Sequence, residues 1–187
     1  MSERSDSALL QAFLAGDLEA YDDIVDRFSA SVYRLALKFT RSQADAEDIA
    51  QETFLRAYEN LLKAPKDLPL KPWLMTICVN LCRNLARKKK SFNFSDLEKS
   101  DEEGESDIAG KIRDEDLNPL EKAKQKENVE HVQSALQKIP EKYRIILELR
   151  YMEDLSYQEI AEILNLPLNT VKVQLNRAKT HIQTELK

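Results

Sequence analysis

Near the C-terminus, Asn169, Lys172, Val173, Asn176, Arg177 and Thr180 fall on one face of a helical pattern. Cations, amides and one apolar side chain in a single row suit the reading of nucleic acid. Arg and Lys pair with guanine or phosphate, Asn pairs with adenine, and Val touches a thymine methyl. A second polar row, Asn80, Arg83, Asn84 and Arg87 at i, i+3, i+4 and i+7, runs on into Lys88, Lys89 and Lys90. Cations at a helix C-terminus also complement the macrodipole, but a continuous polar row of this kind suits phosphate tracking. The third row belongs to the stretch DAEDIAQETFLRAY. There Ala46, Ile49, Ala50, Thr53, Phe54 and Ala57 share one face, while Leu55 lies on the other among Asp48, Gln51, Glu52 and Glu59. A leucine ringed by carboxylates has the makeup of a docking centre. No nucleophile–base pair, metal-ligand spacing or phosphate loop accompanies these rows, so the expected chemistry is binding rather than catalysis, without cofactor or metal. His131 and His181 stand isolated. Cys78 and Cys82, four apart in a helical pattern, read as buried free thiols rather than a disulfide or a metal pair.

The elements that must position these rows are helices. Only three glycines and few β-branched runs in 187 residues leave little material for hairpins, so an all-α fold is expected. Four helices are expected up to about residue 90. The first runs from Asp6 to Ala15 and stops at Gly16. Asp17 can cap the second, which carries Ile24, Val25, Phe28, Val32, Leu35 and Phe39 at helical spacing. The third spans Gln43 to Leu62 and the fourth Trp73 to Lys90. Between them PKDLPLKP, with three prolines in eight residues, reads as a loop. Residues 92–118 are rich in carboxylates and poor in large apolar side chains, and read as a flexible acidic linker, either a solvated tether or a functional acidic segment that occupies a basic channel. Further helices are expected over Pro119–Lys138, Glu141–Tyr151, Tyr157–Leu164 and Pro167–Leu186.

The stretch LSYQEIAEILNLPLNTVKVQLNRAKTHI carries the sharpest local signals. Ser156 and Glu159 form a capping box, Ile160, Ile163 and Leu164 give a short helix its apolar face, and Ala161 leaves room for a second helix to cross. Asn165 suits a left-handed turn and Pro167 the first turn of the next helix. Val171, Leu175, Ala178 and Ile182 fall within about 60° of one another and face the core. Two short helices joined this way are a helix-turn-helix. The expected organisation is therefore two small helical domains, residues 1–91 and 119–187, joined by the acidic linker 92–118, with the helix-turn-helix in the second.

The net charge of −5 appears unfavourable for nucleic acid, but the charge is segregated. Cations gather at Arg83, Arg87, Lys88, Lys89 and Lys90, and again at Lys172, Arg177 and Lys179, while acid gathers in the middle of the chain. No apolar run reaches the roughly 18 residues needed to span a membrane, and MSERSDSALL has no signal-peptide core. A cytoplasmic protein without membrane insertion is expected.

With these residues in view, four segments resemble the extracytoplasmic-function sigma factors of the sigma-70 family. They are AGDLEAYDDIVDRF, DAEDIAQETFLRAY, PWLMTICVNLCRNLARKKK and IPEKYRIILELRYMEDLSYQEIAEILNLPLNTVKVQLNRAKTHI, in that order. The resemblance covers nearly the whole chain. It implies a non-enzymatic initiation factor whose partners are core RNA polymerase (the β′ clamp helices and the β flap), promoter DNA and an anti-sigma factor. By position, Asp48, Gln51, Glu52 and Leu55 are implied to bind the core enzyme. Asn80, Arg83, Asn84, Arg87 and Lys88, with the loop from Lys63 to Lys71, are implied to meet the −10 element. Asn169, Thr170, Lys172, Val173, Asn176 and Arg177 are implied to meet the −35 element. The acidic linker resembles the segment that threads toward the polymerase cleft. The alternatives are a stand-alone helix-turn-helix regulator, which predicts tight polymerase-independent operator binding, and a sigma-like polymerase adaptor.

Overall fold

The structure, a computed structural model, describes residues 4–89 and 139–185. The expected linker, the expected helix over 119–138, Lys90 and His131 lie outside the described residues. The chain divides into two compact units, Met1–Phe92 and Asn93–Lys187, and every element among the described residues is helical.

The first unit is built from α1 (Asp6–Leu14), α2 (Glu19–Thr40), α3 (Gln43–Leu61) and α4 (Leu70–Lys89). Ser5 caps α1 by accepting the Ala8 N–H, and the helix ends on Gly16 at φ +99°, a backbone state that glycine adopts without strain. Asp17 does act on the start of α2, its Oδ1 accepting the Ala20 N–H at 3.4 Å. Arg41 closes α2 in the left-handed region, and Ser42 then caps α3 by accepting the Asp45 N–H. α2 packs against both α3 and α4, which also pack on each other. Their core is apolar with one exception: buried Thr53 returns its hydroxyl to the Ile49 carbonyl at 2.7 Å. Cys78 and Cys82 are buried free thiols of α4. Hydrogen bonding to Cys78, together with burial, pushes the Cys82 thiol up from its ordinary value.

The loop expected over PKDLPLKP is shorter than its prolines suggest. α4 begins at Leu70, so Pro72 lies in its first turn, where a helix has no intrahelical use for the missing N–H. Trp73 is consequently a first-turn residue, half-buried, with its N–H on the Pro69 carbonyl.

In the second unit α5 (Glu141–Leu147) runs into a π-helical turn (Glu148–Met152), where the sequence suggested one uninterrupted α-helix. α6 (Tyr157–Leu164) and α7 (Leu168–Glu185) follow. The capping box forms as read: Ser156 Oγ accepts the Glu159 N–H, and Glu159 Oε2 accepts the Ser156 N–H at 2.7 Å. Asn165 takes the left-handed conformation at φ 49°, ψ 49°, and buried Leu166 donates its N–H to the Ala161 carbonyl at 2.9 Å. α7 then packs against α5 and α6 through Val171, Leu175, Ala178 and Ile182. Asn165→Val places a β-branched side chain where only Gly and Asn sit comfortably, and is expected to cost about 1–2 kcal/mol in urea unfolding. Asn165→Gly is expected to stay within a few tenths of wild type in the same measurement, roughly the sensitivity of a tolerated surface change. Equal losses for both variants would show that the backbone conformation is not the reason for asparagine.

Candidate interaction surfaces

α3 presents Leu55 to solvent, 63% exposed, from a helix whose Ala46, Ile49, Thr53 and Ala57 are buried. Asp48, Gln51 and Glu59 are exposed around it. Glu52 is half-exposed and accepts from Arg56 Nε at 2.7 Å. The structure therefore brings together the four residues read as one interface, and it adds to them. Tyr58 and Leu62, 42% and 59% exposed, continue the apolar line at i+3 and i+7 from Leu55. Beside that line, α2 and α3 leave a groove of about 610 Å³ bordered by Tyr21, Val25, Ala50, Phe54, Leu55 and Tyr58. Tyr21 fixes its floor by donating its hydroxyl to the Phe54 carbonyl and packing against Phe13 and Tyr58. Burial pushes the Tyr21 phenol up to about 12, so it stays a donor throughout the physiological range. Val25 and Phe54 read as core residues in the sequence but are half-exposed in this groove. The sequence reading stopped at Leu55; the spacing of Leu55, Tyr58 and Leu62 is the signal that could have extended it.

On α4, Asn80, Asn84, Arg87 and Lys88 are exposed and Arg83 is half-exposed. The amides hold the guanidinium groups: Arg83 donates to Asn80 Oδ1 at 3.4 Å and Arg87 to Asn84 Oδ1 at 2.7 Å. The cation run does not stay in this row. Lys89 turns away and donates to both carboxylate oxygens of Asp45, each at 2.7 Å. That bond holds the Asp45 carboxyl below its usual range. A second groove, of about 630 Å³, separates α3 from α4, with Asp48 and Glu52 on one wall and Asn84, Arg87 and Lys88 on the other. The acid-ringed strip and the cationic row are thus neighbours within one unit.

On α7, Asn169 and Thr180 are exposed, and Thr170, Lys172, Asn176 and Arg177 are partly exposed. Val173 is only 9% exposed, so little of its side chain is presented for a thymine methyl. The reason is the breadth of the packed face. Beside the stripe of Val171, Leu175, Ala178 and Ile182, Gln174 and Val173 are also buried, with partly exposed Thr170 and Arg177 between them on the wheel, because α5 and α6 both lie against α7. The outward set that remains is Asn169, Lys172, Asn176 and Thr180, with Thr170 and Arg177 partly exposed beyond Val173. His181, exposed, stacks on Tyr143 with ring centroids 5.0 Å apart. Among the described residues no group of three or more His, Cys, Asp or Glu could hold a metal ion, and no helix is long and apolar enough to cross a membrane.

A helical unit with an exposed apolar strip beside a cationic row, followed in the same chain by a helix-turn-helix, has the makeup of a two-module nucleic-acid-binding protein. Comparison with known proteins makes this specific. Residues 24–92 match the model of Sigma-70 region 2, and residues 130–182 that of Sigma-70, region 4. The chain is 35% identical over 172 residues to the ECF RNA polymerase sigma factor SigW of Bacillus subtilis, covering 92% of this chain and 91% of that one. It is 31% identical over 189 residues to the RNA polymerase sigma-H factor of Pseudomonas aeruginosa, covering 100% and 96%. Among solved structures, CnrH bound to the cytosolic domain of CnrY shares the fold with a TM-score of 0.62 at 22% identity, over 96% of this chain and 95% of that one. The sigma factor RpoE of Bartonella quintana, bound to the anti-sigma factor NepR, does so with a TM-score of 0.59 at 21% identity, over 87% and 93%. The chain belongs to the extracytoplasmic-function RNA polymerase sigma factors of the sigma-70 family.

Proposed function

We propose that the two units divide promoter recognition between them, residues 1–91 binding core polymerase and the −10 element and residues 119–187 binding the −35 element, with 92–118 as the tether. As a sigma factor the chain binds core RNA polymerase and directs promoter-specific initiation of transcription. In this reading Asp48, Gln51, Glu52 and Leu55 dock on the β′ clamp helices. Asn80, Arg83, Asn84, Arg87 and Lys88 hold the −10 strand, and Asn169, Thr170, Lys172, Asn176 and Arg177 meet the −35 element. The second unit also engages the β flap. The observation that carries the assignment is Leu55, a leucine exposed on a helix, set among Asp48, Gln51, Glu52 and Glu59 and bordering an apolar groove. An exposed apolar surface of this kind marks a protein–protein contact, and in a sigma factor core polymerase is the partner that fits it.

The mechanism is binding. Polymerase fixes the spacing of the two units, and the tether turns two weak DNA contacts into one stronger event. Capture of unstacked −10 bases offsets the few kcal/mol of unpairing that each flipped base costs. The cationic row places the strand, and the outward face of α7 supplies sequence discrimination. The work is cytoplasmic and non-catalytic, and an anti-sigma factor, such as the one named with the Bartonella quintana protein, belongs to the same reading.

Run-off transcription with purified bacterial core polymerase and a panel of promoter fragments tests this. A defined transcript that appears only when the chain is added is expected. Tight operator binding without polymerase, and no specific transcript with it, would instead identify a stand-alone regulator.

A further inference from the structure

We propose that Asp45 is a positioning residue for strand capture: by holding Lys89 across the α3–α4 groove it keeps that cation off the DNA backbone, leaving Arg83, Arg87 and Lys88 to hold the strand. The inference rests on the strand-holding role given above to the row on α4.

The pair is long-range and geometrically complete. Lys89 Nζ lies 2.7 Å from each Asp45 oxygen, across 44 residues of sequence. At about 100° per residue, Lys89 leaves α4 roughly 180° round from Asn80, on the side away from the polar row. Asp45 is held from its own side. It sits in the first turn of α3, its N–H is donated to Ser42 Oγ at 3.3 Å, and its side chain is only 21% exposed. A carboxylate in an N-terminal turn and an ammonium in a C-terminal turn are each favoured by their own helix dipole, so the two helix ends reinforce one contact. The Lys89 ammonium beside it holds the Asp45 carboxyl below its usual range, as a direct ion pair does. Asp48 and Glu52 line the same groove. A phosphate moving from the polar row toward Lys89 therefore meets a wall of carboxylate.

The consequence concerns specificity. Each cation that neutralises a phosphate adds affinity for any sequence alike, whereas discrimination comes from base contacts. Withholding Lys89 keeps the sequence-independent share of binding down without removing charge from the helix end.

The salt dependence of DNA binding reads the number of phosphate contacts directly. With holoenzyme and a non-specific duplex, wild type and Lys89→Gln are expected to give the same slope of log K against log salt. Asp45→Asn is expected to steepen that slope by about 0.9, the value of one added phosphate contact on duplex DNA. The double variant is expected to return to the wild-type slope, which a mere loss of helix-end stability would not produce. Arg87→Gln, measured alongside, reports on the row itself: an unaltered slope there sinks the strand-holding role and leaves the Asp45 comparison to be read separately. A slope flattened by Lys89→Gln, or an Asp45→Asn slope equal to wild type, overturns the proposal.

Discussion

Leu55→Arg is expected to weaken binding to core polymerase by about 30-fold or more while leaving the unfolding of the chain unchanged. The stability half follows from exposure. At 63% accessible, Leu55 contributes little to the core of its unit, and substitutions at such sites stay within roughly 0.5 kcal/mol. The binding half follows from its surroundings. A central apolar anchor rimmed by polar groups is the arrangement of an interface hot spot, where truncation costs about 2 kcal/mol or more, a factor near 30 in affinity. Arginine adds to the loss, because its charge must be desolvated when the interface closes. Glu52 supplies an internal contrast. It is already paired with Arg56 at 2.7 Å in the free chain, so part of its charge is spent and Glu52→Ala is expected to cost less than Leu55→Arg. Equilibrium binding to labelled core enzyme, with urea unfolding as the control, decides the matter. Wild-type affinity in Leu55→Arg would remove α3 from the polymerase interface.

What could be read from the sequence was local in origin. The Ser156–Glu159 box and the left-handed Asn165 depend on neighbours within four residues, and both are present as read. The buried stripes of α2 and α3 follow from helical period and need no knowledge of partners. Where the reading fell short, the cause lay outside the segment. Pro72 looked like a breaker, but its effect depends on whether it falls in the first turn or the interior, and the position of Leu70 in the core decides that. The π-helical turn at Glu148–Met152 has no marker in composition. Lys89 could not be separated from Lys88 by sequence, because its partner Asp45 is 44 residues away. Tyr58 and Leu62 were not read as part of the Leu55 strip, because what makes Tyr58 informative is the opposite wall of the groove, which α2 supplies.

The substitution pair Val173→Ala and Arg177→Ala separates packing from recognition on α7. Val173 stands between Asn176 and Arg177 on a helical wheel, so a reading from periodicity gives all three the same task. Burial gives them different ones. Val173→Ala removes two carbons from a packed site, each worth roughly 0.8 kcal/mol, and is expected to cost about 1.5 kcal/mol of stability. Promoter preference should not change, because the side chain does not reach the groove-facing surface. Arg177→Ala is expected to do the reverse. It lies at the edge of the outward face, partly exposed. Loss of an arginine contact to a base edge is worth about 1–3 kcal/mol of discrimination, so initiation from promoters that depend on the −35 element should fall by roughly 5- to 150-fold. Unfolding should stay near wild type. Lys172→Ala distinguishes a base contact from a backbone contact in the same assay: a cation that meets phosphate weakens all promoters alike and lowers the salt slope by about one. Run-off transcription on promoters with intact and scrambled −35 elements, repeated over a salt series and paired with urea unfolding of each variant, reads all three. If Val173→Ala shifts the ranking of promoters while its stability is unchanged, α7 presents Val173 to DNA after all, and the packed face is narrower than the buried arc from Val173 through Gln174 to Val171.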